Sequence, residues 1–107
     1  LTGKTDWTYL YGNASGDQVR YRRNGGIVEL YWNYVQMTAQ RWFAGTIPAP
    51  LRPAVGATGA CMRAMSSGHP TNNVATYEVW ADGRVFFTTT NEEDSGRVVG
   101  YCCWPVG

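Results

Sequence analysis

The segment VATYEVWADGRVFFTTT, residues 74–90, predicts a β-hairpin. On both sides of its central Asp82–Gly83 the chain is rich in β-branched and aromatic residues, which favour strands. Asp-Gly also provides the positive φ angles that a two-residue hairpin turn requires. We therefore expect strands over 74–81 and 84–90, joined by a tight turn.

A two-residue turn would fix which side chains of this hairpin face each other. It places Trp80 opposite Val85 and Glu78 opposite Phe87 on one face, and the other face is apolar as well. A strand of a sandwich normally buries only one face. The sequence therefore predicts that Glu78, Trp80, Val85 and Phe87 form an oligomer interface. The alternative is a register slip or a bulge that moves Trp80 to a loop edge.

The remainder of the chain also consists of short β-rich runs, separated by Gly, Pro, Asn, Asp and Ser, without a helical repeat. The turn at residues 24–26, Asn-Gly-Gly, marks a second hairpin. Eight strands at this spacing predict one all-β domain over residues 1–107, an antiparallel β-sandwich of jelly-roll type. The six further strands are expected at 7–11, 18–23, 27–37, 41–46, 55–65 and 98–104.

Alternation along the third predicted strand defines its core face. Side chains two residues apart point to the same side of a sheet. Val28, Leu30, Trp32 and Tyr34 therefore share one face, which is more apolar than the opposite face. We expect these four side chains to lie in the core.

The segment AGTIPAPLRPA, residues 44–54, predicts a rigid connection, because three of the chain's five prolines fall within it. Proline has no backbone N–H to donate to a sheet and favours extended geometry in the residue before it. We expect an extended crossing between the two sheets of the sandwich. Ile47 and Leu51 are the expected anchors in the core, and Arg52 is expected to bind a neighbouring carbonyl or carboxylate.

Composition and charge limit the classes of partner. The net charge is +1, and the only basic cluster is Arg20, Arg22 and Arg23, so we expect no nucleic-acid partner. No apolar run approaches the roughly 18 residues of a membrane span, and we expect no membrane insertion. Charged residues make up only 16% of the chain, which predicts that other copies of the chain cover part of the surface. Because the sequence opens on Leu1, we expect it to be the C-terminal fragment of a longer protein.

The residues that catalysis or metal binding would require are sparse. Three cysteines without regular spacing predict reduced thiols rather than a disulfide framework, and one histidine, His69, without a C-x-x-C motif argues against a metal site. A Cys61–His69 nucleophile is disfavoured because Cys61 lies in an apolar strand. The acidic run at 91–96 is interpreted as a solvated turn rather than a hydrolase or calcium site. We expect no enzyme activity and no cofactor.

Carbohydrate binding requires less from the sequence. A sugar site needs an aromatic platform for apolar C–H faces and a few planar hydrogen-bonding groups. Five Trp and seven Tyr in 107 residues exceed what a core of this size needs. The predicted saccharide-binding residues are Arg41 and Trp42 at a strand start, and His69, Asn72 and Asn73 in the loop at 66–73. The alternative is that Trp42 packs in the core and the loop is an ordinary turn.

Three motifs occur in order across residues 19–89: VRYRRNGGIVELYW, AGTIPAPLRPA and YEVWADGRVFFTT. Together they resemble the C-terminal head domains of phage tail fibre and receptor-binding proteins, from phages of Gram-positive and gut bacteria. The most specific of the three is the proline-rich connector. The chain departs from the family pattern by its additional Pro50 and by Leu51 in place of an aromatic residue, so host specificity cannot be carried over.

The resemblance implies a β-sandwich head that forms a homotrimer and binds a bacterial surface saccharide. Its further implied partner is the upstream shaft of the same fibre protein. It also implies a place at the tail tip of the virion, after folding in the bacterial cytoplasm. A structural tip or trimerisation domain without a ligand is the alternative function.

Overall fold

A computed structural model describes residues 5–64, 70–89 and 96–106, with the side chains of all of these except 64 and 70–73. The described residues contain eight strands, one 3₁₀ turn at Ala49–Leu51 and no α-helix. This confirms the predicted all-β antiparallel fold of about eight strands. The strands are β1 (Thr8–Gly12), β2 (Gln18–Asn24), β3 (Ile27–Gln36), β4 (Arg41–Thr46), β5 (Ala57–Ala64), β6 (Pro70–Val79), β7 (Arg84–Thr89) and β8 (Arg97–Pro105).

All eight strands belong to one sheet, in the order β1-β2-β3-β8-β5-β6-β7-β4, and every neighbouring pair is antiparallel. The sheet curls until β1 approaches β4, where the rings of Tyr11 and Trp42 lie 4.8 Å apart. Across the interior, Trp32 of β3 packs against Phe87 of β7 at 5.0 Å between ring centroids. The two facing layers are therefore halves of one nearly closed, barrel-like sheet.

Alternation fills the interior with apolar side chains, as a curled sheet requires. Val28, Leu30 and Trp32 of β3 are fully buried, as predicted. The other large, fully buried side chains come from β2, β7, β8 and the segments between strands as well as from β3 and β6: Phe87, Met37, Ile47, Val19, Val35, Val79, Val85 and Val98.

Tyr34 departs from the predicted core face because β3 contains a bulge. The pairing of β3 with β8 shifts between Trp32 and Val35, and Tyr34 has a φ angle of 50°. One additional residue in a strand reverses the side on which the following side chains fall. Val35 therefore occupies the core position that the sequence assigned to Tyr34.

The hairpin between β6 and β7 has a three-residue loop instead of the predicted two-residue turn. Trp80 N–H donates to the Arg84 carbonyl at 2.9 Å, Gly83 N–H donates to the Trp80 carbonyl at 2.8 Å, and Gly83 has a φ of 91°. A left-handed glycine that closes such a loop is typical of a bulged hairpin. Val79 consequently pairs with Val85, and Glu78 pairs with Phe86.

This register corrects the predicted interface. Val85 and Phe87 are 0% exposed and lie in the core. They cannot form an interface together with Glu78 and Trp80, which are half-buried on the outer side of the hairpin. The predicted interface combined side chains from both sides of the sheet, because the predicted pairing of β6 with β7 was displaced by one residue.

The proline-rich connector joins β4 to β5, and both belong to the same sheet, so it does not cross between two sheets as predicted. Ile47 is fully buried, and Leu51 packs against the core from a half-buried position, which confirms both anchors. Arg52 Nε donates to the Ile47 carbonyl at 2.8 Å, which confirms its predicted bond to a neighbouring carbonyl. Trp104 Nε1 fixes the 3₁₀ turn by donating to the Leu51 carbonyl at 2.7 Å.

Candidate functional site

Trp42, the predicted sugar platform, lies in the core. It is only 7% exposed, and its ring stacks on Phe87 at 5.8 Å and meets the edge of Tyr11 at 4.8 Å. In β4 the sequence alternates, with Arg41 and Phe43 outside and Trp42 inside. The prediction that Trp42 presents a ring face to a saccharide was therefore wrong.

Of the polar residues predicted to accompany Trp42, those that the structure describes do not lie in a loop. His69 lies outside the described residues. Asn72 and Asn73 lie in β6, which begins at Pro70, and not in a loop that continues to residue 73. Arg41 is on the outer surface, but its partners belong to another group of residues.

That group, which we name the outer cluster, consists of Arg41, Glu78, Trp80, Arg84 and Phe86. Arg41 Nη1 lies 2.5 Å from Glu78 Oε2, and Trp80 Nε1 donates to Glu78 Oε1 at 3.2 Å. Both oxygens of Glu78 therefore hold a donor. One carboxylate fixes the guanidinium of β4 and the indole that follows β6, on the outer side of the sheet and across the intervening β7.

Stacking completes the outer cluster. The Arg84 guanidinium lies 4.1 Å from the centroid of the Trp80 ring, and the Arg41 guanidinium lies 4.3 Å from that of Phe86. The two rings are 5.3 Å apart and tilted by 45°. Contacts of this kind between cations and aromatic rings are favourable and restrict both partners. The Trp80 ring is thus held by a hydrogen bond, a cation and a second ring.

Trp80 and Glu78 line a surface groove of about 390 Å³. This volume lies at the lower end of the range for small-ligand sites, about 300–1,000 Å³. On its other side the groove is bounded by the start of β5, where Thr58 Oγ1 donates to the Tyr77 carbonyl at 2.9 Å. The residues that line the groove therefore include one with an aromatic ring, one with a carboxylate and one with a hydroxyl group. Its lining residues are Gly56, Ala57, Thr58, Glu78, Val79, Trp80 and Ala81.

The charges around the groove are paired. The hydrogen bond from Arg41 lowers the pKa of Glu78, although partial burial acts in the opposite direction. Asp82 forms an ion pair with Arg84 at 2.9 Å, and the backbone N–H of Arg84 holds the pKa of Asp82 below its usual value. Glu78 and Asp82 are thus each paired with one arginine, and the charge of Arg52 also acts on Asp82.

A second arginine–aromatic group covers the outer face of β2 and β3. Trp7 lies between the guanidinium groups of Arg20, at 4.7 Å, and Arg22, at 4.3 Å, and Arg20 also contacts Tyr31 at 4.9 Å. Arg22 forms an ion pair with Glu29 at 2.8 Å. These groups are occupied with one another and fasten the segment before β1 to the sheet. We interpret this group as structural.

The remaining chemistry in the described part of the chain is limited. A crevice of about 240 Å³ is bordered by residues 53–57, Trp104 and Pro105, and its only polar side-chain group, the Trp104 indole N–H, already bonds to Leu51. Burial raises the pKa of Cys61 to about 11 and that of Cys102 to about 12, so neither is a ready nucleophile. Among the described residues, no three His, Cys, Asp or Glu side chains are grouped to hold a metal ion, and no helix could cross a membrane.

Sequence reasoning had named Glu78 and Trp80, but for a different role. Their place beside the groove follows from the one-residue longer loop, which the Asp-Gly pair alone did not reveal. The sequence did not indicate that the residues at the start of β5 border the groove, because Gly56 and Ala57 are small and have no polar side chain. The chain matches no protein-family model and no curated protein sequence.

Proposed function

We propose that this domain is the receptor-binding head of a phage tail fibre, and that it binds a bacterial surface saccharide without cleaving it. The observation that carries the proposal is the groove beside β6, in which a fixed Trp80 ring lies next to the Glu78 carboxylate. An aromatic surface with adjacent hydrogen-bonding groups is the combination that sugars require. The sequence resemblance to phage receptor-binding heads supports the same assignment.

The chemistry of Glu78 supports binding rather than hydrolysis. A glycosidase needs two opposed carboxyl groups, one of which stays protonated to act as an acid. The pKa of Glu78 is lowered by Arg41, which keeps its carboxyl group ionised at neutral pH. Asp82, the nearest acidic residue along the hairpin, is likewise an ionised partner of Arg84. This pair of carboxylates does not provide the acid that the reaction would need.

The head is proposed to act as a homotrimer on an upstream shaft at the virion tail tip. Exposed apolar side chains on β6 and β5 support self-association: Val74 pairs with Met62, which also pairs with the half-buried Val99 of β8. Val74 and Met62 are about half exposed, and an apolar stripe of this kind is typical of an interface. It replaces the interface that the sequence predicted on the hairpin.

Binding to isolated cell-envelope polysaccharide tests the function. We expect the wild-type chain to bind, and Trp80→Ala to lose about tenfold in affinity, because an aromatic contact of this kind is worth up to about 1.5 kcal/mol beyond the area that it buries. Tyr9→Ala is the matched control, because Tyr9 is an exposed aromatic residue on β1 outside the groove. Retention by no envelope fraction would instead favour a structural tip domain.

The oligomeric state needs a separate measurement. Light scattering at micromolar concentration should give three times the mass of the chain for the wild type, and a smaller mass for Met62→Lys. Val55→Lys, at a residue that is 77% exposed on the connector, should not change the mass. A wild-type monomer would contradict the trimer and leave the saccharide site to be judged by its own test.

A further inference from the structure

The polar groups of the groove also restrict the class of saccharide. Resting on the proposed function, we infer that the groove selects an uncharged sugar unit with adjacent hydroxyl groups, and not an anionic polymer such as a polyol phosphate or a polyuronate. The inference concerns the ligand of the site around Glu78, Trp80 and Thr58.

The side chains that line the groove present acceptors. Each oxygen of the Glu78 carboxylate holds one donor, from Arg41 or from Trp80, and a carboxylate oxygen has a second lone pair. The Thr58 hydroxyl gives its proton to the Tyr77 carbonyl, so its oxygen faces other groups as an acceptor. The indole N–H of Trp80 is already used. A matching ligand must therefore donate, as the neighbouring hydroxyl groups of a sugar do.

Both arginines of the outer cluster are already paired, and Arg52, a further described cation near Asp82, does not line the groove. Arg41 is held by Glu78, and Arg84 is held by Asp82 and lies over the Trp80 ring. Neither arginine lines the groove. A phosphate or uronate placed there would meet the Glu78 carboxylate and would have to displace one of these pairs. Because Arg41 balances the charge of Glu78, a cationic amino sugar gains no net attraction either.

The Trp80 ring adds a second criterion for the ligand, which is the shape of the sugar. The Arg84 guanidinium lies over the Trp80 ring, and Trp80 is also one of the residues that line the groove. The apolar C–H face of a hexose stacks on an aromatic ring without requiring charge. Acceptors beside the ring then distinguish sugars by the positions of their hydroxyl groups.

Affinity electrophoresis of the full chain through immobilised polysaccharides tests this inference. The probes are neutral glucan, mannan and galactan, the polyanions polygalacturonate and polyglycerol phosphate, and polyglucosamine as a polycation. We expect retention by at least one neutral polymer, with an affinity that changes less than about twofold between 50 and 500 mM NaCl, because screening affects charged partners far more.

Variants connect the selectivity to the groove. Glu78→Gln should weaken binding of the neutral polymer by about tenfold or more, since it replaces an acceptor with a donor and weakens a charge-assisted bond. Thr58→Val, which leaves the Arg41–Glu78 pair in place, should weaken it severalfold. Asp17→Asn is the control, because Asp17 is a carboxylate that is ion-paired with Arg97 and lies outside both the groove and the β6–β7 hairpin. Circular dichroism should confirm that each variant is folded.

The outcomes separate the two proposals. Two results would overturn this inference and leave saccharide recognition in place. The first is salt-sensitive binding that favours a polyanion or the polycation. The second is binding of a neutral polymer that Glu78→Gln and Thr58→Val leave unchanged. Retention by none of the polymers and by no envelope fraction would overturn the proposed function, and this inference with it.

Discussion

Gly100 lies against the indole of Trp32, its pairing partner in the neighbouring strand. A Cβ at Gly100 would come within 2.7 Å of Cζ2 of Trp32, which is fully buried and packed between Tyr77 and Phe87. Any shift of the ring would disturb its contacts with Tyr77 and Phe87. Gly100→Ala should therefore reduce the free energy of unfolding by about 1–3 kcal/mol, the usual cost of overpacking a core, as measured by urea denaturation.

Gly26 provides the control for that experiment. A Cβ there would meet nothing within 4 Å, and no positive φ opposes a side chain. Gly26→Ala should leave the denaturation midpoint nearly unchanged. Equal midpoints for the two variants would contradict the tight contact between Gly100 and Trp32.

Trp42 and Phe43 are adjacent aromatic residues that should differ sharply in their effect on stability. Trp42 is buried against Phe87, whereas Phe43 is 49% exposed. Trp42→Ala should lower the free energy of unfolding by about 3–5 kcal/mol, as large-to-small changes of buried aromatics do. Phe43→Ala should cost markedly less. Thermal or urea denaturation of the two variants measures the difference, and a small effect of Trp42→Ala would contradict its place in the core.

Glu29 should make stability depend on pH in the acid range. It is 8% exposed, and hydrogen bonds from Tyr101 and then Arg22 lower its pKa from the ordinary value of 4.5. A carboxyl group whose pKa is lower in the folded state stabilises the fold above pH 4.5, and this contribution is lost as the pH falls through the folded value. Glu29→Gln should therefore be less stable than wild type at pH 7, by about 2 kcal/mol.

The test is urea denaturation of both proteins between pH 7 and pH 3. The difference between wild type and Glu29→Gln should shrink as the pH falls below 4.5, because the wild-type carboxyl group becomes neutral. Tyr101→Phe, which removes the largest cause of the lowered pKa, should also weaken the acid dependence. Parallel pH profiles for all three proteins would rule out this role of Glu29.

The three cysteines should react with a thiol reagent in two steps. Cys103 is exposed, whereas burial raises the pKa of Cys61 to about 11 and that of Cys102 to about 12. Thiolates are the reactive form. At pH 8 mass spectrometry should detect one iodoacetamide adduct per folded chain, located at Cys103, and three adducts in denaturant. Rapid labelling of Cys102 in the folded protein would contradict its burial.

Elements of this fold were predictable where local patterns are unambiguous. The strand β4 was predicted at its observed bounds, 41–46, and the Asn-Gly-Gly turn correctly pairs Asn24 with Ile27. The connector's anchors followed from the only two large aliphatic residues in the segment, Ile47 before its first proline and Leu51 between the second and the third. These features depend on turn chemistry and composition, both of which are local.

The candidate site was less predictable, because it depends on strand register and on which side of the sheet each side chain faces. Arg-Trp-Phe-Ala gives no clear inner side to β4, since Trp42 and Phe43 are both aromatic and only packing against Phe87 decides between them. The hairpin register depended on whether Ala81 belongs to the strand or to the loop, a difference of one residue. The bulge at Tyr34 likewise changes the side of the sheet on which Val35 lies, and no glycine in the sequence indicates that bulge.

The connector also has a consequence for the thermodynamics of binding. Ile47 N–H donates to the Gly83 carbonyl at 2.8 Å, so the proline-rich segment holds the turn that closes on Trp80. Prolines restrict that segment before any ligand arrives. A sugar that stacks on Trp80 would meet a ring already in position, and little conformational entropy would be lost when the complex forms. If the proposed site binds a sugar, the rigidity of residues 44–54 would thus contribute to its affinity, although these residues do not line the groove.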